Sequence, residues 1–137
     1  MSIWGQLRHF TIDEKWGDPN KMNGLLLILL DHTRDLYGNI FTIHCGYATT
    51  GHSPKSQHYL GNAVDFHIVS DEPFADQVRR LLQIFDLLQV SDRIGLGIYP
   101  EWSHPGFHLD VRGHKARWGR IRGRYVSFET AFRSLDL

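Results

Sequence analysis

The sequence predicts an α+β domain, a mainly antiparallel sheet with helices packed on one face and a cleft open on the other. Three observations lead there. Segments such as Ala63 to Val69 and Gly106 to Arg112 alternate apolar and polar residues with the period of two expected of strands that bury one face. Two further stretches, 21–37 and 74–88, repeat apolar residues at the i, i+3, i+4, i+7 spacing of a helix. The 137 residues are read as one domain, 1–137, long enough to bury an ordinary core without disulfides, since the single Cys45 has no partner in the chain.

Each element has its own justification. Residues 1–20 mix Trp4, Phe10, Ile12 and Trp16 with Gly5, Gly17, Asp18 and Pro19, which reads as irregular structure pinned to the domain by aromatic anchors. This start lacks a basic stretch followed by an apolar run, so no signal peptide is expected and synthesis should be cytoplasmic. From Lys21 to Tyr37, the stripe Met22, Leu25, Leu26, Leu29, Leu30, Leu36, Tyr37 predicts the first helix, with Gly38 to stop it. Its apolar run, Leu25 to Leu30, is too short to span a bilayer.

Asn39 to Cys45 reads as a strand, with Phe41, Ile43 and Cys45 on one face and Ile40, Thr42 and His44 on the other. That parity makes Cys45 a buried, inert thiol. Gly46 to Lys55 is a loop, and strand 63–69 follows. Ser70-Asp71-Glu72-Pro73 offers a capping side chain and a first-turn proline to a second helix, whose stripe is Phe74, Val78, Leu81, Leu82, Phe85 and Leu88. In Ile94 to Tyr99, Gly95 and Gly97 leave one face nearly bare, either admitting substrate or permitting close packing. Pro100 to Pro105 is a loop before the strand from Gly106. Ala116 to Val126 suggests an edge hairpin around Gly123, and Ser127 caps a short helix containing Phe128, Ala131 and Phe132.

The chemistry sits on the polar faces. Val64, Phe66 and Ile68 fall on one side of their strand and Asp65 and His67 on the other; Phe107, Leu109 and Val111 oppose His108, Asp110 and Arg112. His58, Asp65 and His108 then form two imidazoles and a carboxylate, the donor set of a catalytic zinc ion that keeps one position for water. One Zn2+ is expected. Fifteen basic and fifteen acidic residues balance, which gives no reason to expect nucleic acid or an anionic membrane as partner and disfavours a metal-dependent nuclease.

The run Ser56-Gln57-His58-Tyr59-Leu60-Gly61-Asn62-Ala63-Val64-Asp65 matches S-x-H-x-x-G-x-A-x-D without a gap, and His108-Leu109-Asp110 matches a closing H-x-D. In these motifs the chain resembles the zinc D-alanyl-D-alanine carboxypeptidases and peptidoglycan L,D-endopeptidases, whose metal-site architecture the Hedgehog signalling domain shares. Gly97 to Pro100 and Asp110-Val111-Arg112-Gly113 are similar to the branch of small phage and bacterial murein peptidases. The resemblance covers roughly residues 22–118. It implies that His58, Asp65 and His108 bind zinc and that the substrate is a peptidoglycan stem peptide or cross-link. Action at the cell wall would follow phage lysis or export without a signal, and the chain is expected to be a monomer without a membrane span.

Two departures matter. Pro105 stands where many members have a glutamate, and Cys45-Gly46-Tyr47-Ala48 replaces an S-G-Y-R run whose arginine neutralises an oxyanion or a substrate carboxylate. Candidate bases are then His104, Glu101 and Asp110, with His104 preferred and Asp110 better suited to orienting an imidazole. Arg112 is the candidate replacement for the missing arginine. Ser56, Gln57 and Trp102 are candidate substrate-binding residues. The competing expectation is a zinc-binding cell-wall or protein-interaction module that has lost catalysis.

Overall fold

A computed structural model describes residues 2–136. The elements are α1 (Gly24–Tyr37), β1 (Phe41–Cys45), β2 (Ala63–Ile68), α2 (Phe74–Leu87), β3 (Gly95–Tyr99), β4 (Gly106–Asp110), β5 (Ala116–Ile121), β6 (Arg124–Val126) and α3 (Phe128–Arg133). The strands form one sheet in the order β1-β2-β4-β3-β5-β6, antiparallel except where β3 meets β5. The fold is therefore α+β, as the alternation implied.

One sheet face is oily. Phe41, Ile43, Val64, Phe66, Ile68, Leu96, Ile98, Phe107 and Leu109 pack there against Leu26, Leu27, Leu30 and Tyr37 of α1 and Val78, Leu81, Ile84 and Phe85 of α2. α1 begins later than its periodicity suggested. Asp18 caps a separate turn, Pro19–Lys21, and Asn23 caps the helix by accepting from the amides of Leu25 and Leu26. Buried Leu27 takes a place assigned to Leu25, which is 72% exposed, and Leu36 also faces outward. α2 has no side-chain cap, because Pro73 occupies the N-cap position and Ser70 Oγ accepts from the Glu72 amide instead.

On the opposite face the register sets the residues in rows. Cys45 pairs with Asp65, Asp65 with His108, His108 with Gly97 and Gly97 with Trp118, a row of five residues across five strands. Cys45 belongs to this row only because β1 carries a bulge. Two steps from Ile43 to Cys45 oppose one step from Phe66 to Asp65, so the strand's parity flips at His44. The thiol read from the sequence as buried and inert is instead half-buried and lies against His52 and His58.

Candidate metal centre

His58 lies in a short turn of 3-10 helix, Gln57–Leu60, that Ser56 caps by accepting from the His58 amide. Gly61 follows with φ +72, a left-handed conformation that returns the chain toward β2. The turn buries His58 beside the cleft, and the paired strands β2 and β4 bring Asp65 and His108 to it.

The three side chains converge. Asp65 Oδ1 lies 3.2 Å from His58 Nε2 and 3.2 Å from His108 Nδ1. Ligand atoms about 2.0–2.1 Å from a tetrahedral ion sit about 3.3 Å apart, so these spacings fit one cation. The other ring nitrogens are engaged. His58 Nδ1 donates to Gly46 O at 2.7 Å, and His108 Nε2 bonds Asp110 Oδ2 at 2.7 Å. Each imidazole thus turns its remaining nitrogen to the shared point, as an outer shell does for a metal-binding histidine.

Asp110 is fully buried, and Arg112 grips it with two bonds, Nε to Oδ1 at 2.8 Å and Nη2 to Oδ2 at 2.7 Å. A Cβ at Gly95 would stand 2.6 Å from both Asp110 oxygens, and one at Gly97 2.5 Å from the Trp118 indole nitrogen. The bare face of β3 therefore permits close packing of the site's own side chains.

Charge is concentrated here. Burial opposes an imidazolium at His58, but bonds to Asp65 and Cys45 outweigh it and carry the group up to about 10. Burial likewise opposes the Asp65 carboxylate, yet His108 and His58 hold it down at about 2. His108 is raised against its burial by Asp110 and Asp65. Without metal the cluster is a set of carboxylates holding protons on imidazoles, and a divalent cation would replace that positive charge.

Cys45, His52 and His58 make a second group able to hold a metal ion. Its thiol lies 3.5 Å from His52 Nε2 and 3.8 Å from His58 Nδ1. That nitrogen already donates to Gly46 O, whereas the Asp65 group uses Nε2, the nitrogen turned to the shared point, so the geometry favours the latter.

The cleft, of about 820 Å3, collects Ser56, Gln57, Trp102 and Arg112 around the three candidate ligands. Gln57 Oε1 accepts from Asn62, and Trp102 stacks on Tyr99 with ring centres 4.4 Å apart. His104 stays on the rim, stacked on His67 at 4.5 Å, and shares a smaller side pocket with Asp65 and His44. Glu101 is exposed and accepts from the Arg122 amide. Asp110 has no exposure and serves His108, while Arg112 lines the cleft with its guanidinium committed to Asp110.

Sequence reasoning overlooked His52, Tyr99, Trp118, Arg120 and Tyr125, which also line the cleft. Parity along β5 would have placed Trp118 and Arg120 together, but which face they share follows only from the pairing of β5 with β3. Tyr59 fixes His52 over the His58 ring: its hydroxyl accepts from the His52 amide and donates to the His52 carbonyl. Comparison with protein-family models, curated proteins and solved structures finds no match.

Proposed function

We propose that the chain is a zinc metallopeptidase that hydrolyses peptide bonds in peptidoglycan stem peptides or cross-links. The observation that carries this reading is the convergence of His58 Nε2, Asp65 Oδ1 and His108 Nδ1 beside an open cleft. Two nitrogens and one carboxylate oxygen suit zinc among the common divalent ions. When bound, zinc supplies Lewis acidity and lowers the pKa of coordinated water toward neutrality.

The protein's own groups do the rest. Gly46 O and Asp110 fix the two ring orientations, and Arg112 fixes Asp110. Tyr99, Trp102 and Trp118 give the cleft broad apolar surfaces on which a peptide can lie while water is thinned around the reacting bond. His104 and His52 are the imidazoles on either side of the ligands available to receive a proton.

One observation favours a second reading, a metal-binding module without catalysis. Asp65 is the one acid among the cleft's lining residues, and it is itself a candidate ligand. Incubating zinc-loaded protein with purified murein and assaying new amino termini separates the two. Release is expected, and His58→Ala and Asp65→Ala should abolish both release and stoichiometric zinc. A zinc-loaded protein that frees no amino termini at any pH from 5 to 9 would leave only the binding module.

A further inference from the structure

The cleft holds a cation without a counter-ion. Of the basic side chains lining it, Arg112 is bound to Asp110, Lys55 stands exposed on the rim, and Arg120 has no carboxylate partner among the described residues. Arg120 lies over the ring of Tyr125, 4.2 Å from its centroid, its register partner on β6. Glu101, next in sequence to the cleft residue Trp102, accepts from the Arg122 amide.

Its position follows from the register. Trp118 closes the row that contains Asp65 and His108, and Arg120 is two residues further along the same face of β5. Two strand spacings of about 4.8 Å and one two-residue step of about 6.7 Å put its Cα about 12 Å from that of His108. An arginine side chain spans about half that gap, so the fork, swung inward from the Tyr125 ring, comes within reach of a substrate group one or two residues from a bond held at the metal. The surroundings suit a planar anion: a weakly hydrated guanidinium backed by an aromatic ring offers two parallel donors to a carboxylate. The contact Ser53 Oγ to Tyr125 Oη, 3.4 Å, joins the loop before His58 to the hairpin and bounds this end of the cleft.

We propose that Arg120 is the specificity-determining residue of the cleft and receives a free carboxylate of an acidic peptide substrate. This rests on the peptidase reading for its substrate class. It assigns the anion contact to β5, where the guanidinium has no carboxylate to balance among the described residues, rather than to Arg112, whose charge is already balanced by Asp110.

The test uses the zinc-loaded full chain and three versions of the tetrapeptide L-Ala-γ-D-Glu-L-Lys-D-Ala: both carboxylates free, the C-terminal one amidated, and the glutamyl α-carboxylate amidated. For wild type, one amidation should raise KM at least tenfold, which identifies the carboxylate that is read. Arg120→Gln should raise KM for the free peptide by a similar factor and erase the difference, while Arg120→Lys keeps part of it. Equal KM for all three peptides, with Arg120→Gln unchanged, overturns the proposal and leaves the peptidase reading intact. If wild type cleaves none of them, the peptidase reading fails for these bonds and tryptophan-fluorescence titration with the same peptides decides. Tighter binding of the free peptide, lost in Arg120→Gln, upholds the Arg120 contact; equal binding or none overturns it. Amidation acts on wild-type protein, so the result survives even a variant that folds poorly.

Discussion

Asp110 shows how one residue serves both stability and the site. A fully buried carboxylate is costly unless its oxygens are bonded, and here they receive Arg112 Nε, Arg112 Nη2, the Arg112 amide and His108. The Arg112 guanidinium and the other bonds hold its carboxyl well below the usual carboxylate range against the opposing effect of burial. The same bonds leave His108 one orientation. Asp110→Asn would retain all three candidate ligands yet remove the charge that fixes His108 and balances Arg112. Metal affinity should fall about 10–100-fold, the usual cost of losing such an outer partner. Stability should drop toward the lower end of about 3–5 kcal/mol, because the Arg112 side chain remains 24% exposed. Competition against a chromophoric chelator reads the first effect and urea unfolding of the metal-free protein the second. Unchanged affinity would show that His108 is oriented by its strand alone.

Elements whose periodicity is decided locally were legible, and those decided by a neighbour were not. β2 and β4 alternate because one face meets the core, and that alternation placed Asp65 and His108 together on the cleft side. The bulge in β1 depends on how Ile43 and Cys45 pair with β2, which no pattern within residues 39–45 reveals, and Cys45 was misplaced for that reason. Similarly, Gly95 and Gly97 announced a bare face, but what fills it comes from β4 and β5. The turn into α2 is a third case. Read as a capping segment, it instead sends Glu72 across to α1, where Tyr37 Oη donates to its carboxylate, while Arg80 Nη1 of α2 lies 3.0 Å from the same carboxylate. Burial would raise Glu72, but these two partners hold it below its ordinary value of 4.5. A depressed carboxylate stabilises the fold above its unfolded pKa and loses that contribution as pH falls through the folded one. Wild type should therefore exceed Glu72→Gln by about 1 kcal/mol at pH 7, a modest figure because Arg80 is partly solvated. The gap should close as pH is lowered past 4.5 into stronger acid. Thermal unfolding of both proteins across that range checks it, and a gap independent of pH would mean that packing, not charge, joins the helices there.

At the scale of the molecule, the N-terminal arm works as a brace behind the metal site. The aromatic anchors expected of residues 1–20 are present: Trp16 is fully buried, donates its indole N–H to Thr11 O, and meets Phe10 edge-on and Trp4 at a tilt. The amides of Arg8 and His9 bond the buried Asp31 of α1, fastening the arm to the helical layer. Its far end then passes the two backbone segments that hold His58. Tyr47 N donates to Trp16 O at 2.7 Å, and a Cβ on Gly46 would come within 2.5 Å of that same oxygen. Asn23 N donates to Gly61 O, and a Cβ on Gly61 would strike Lys21 O at 1.9 Å. Gly46 supplies the carbonyl that orients His58, and Gly61 ends the turn that carries it, so a loosened arm should loosen one ligand of three. Trp16→Ala should cost about 3–5 kcal/mol by opening a large cavity, and it should also weaken metal binding although residue 16 touches no ligand. Because a ligand that binds only the folded state stabilises it by RT ln(1 + [L]/Kd), urea unfolding with and without excess zinc measures both effects in one experiment. Wild type should gain more from zinc than Trp16→Ala does. An equal gain would make the arm a cover for the core, with His58 held by the sheet and its own turn alone.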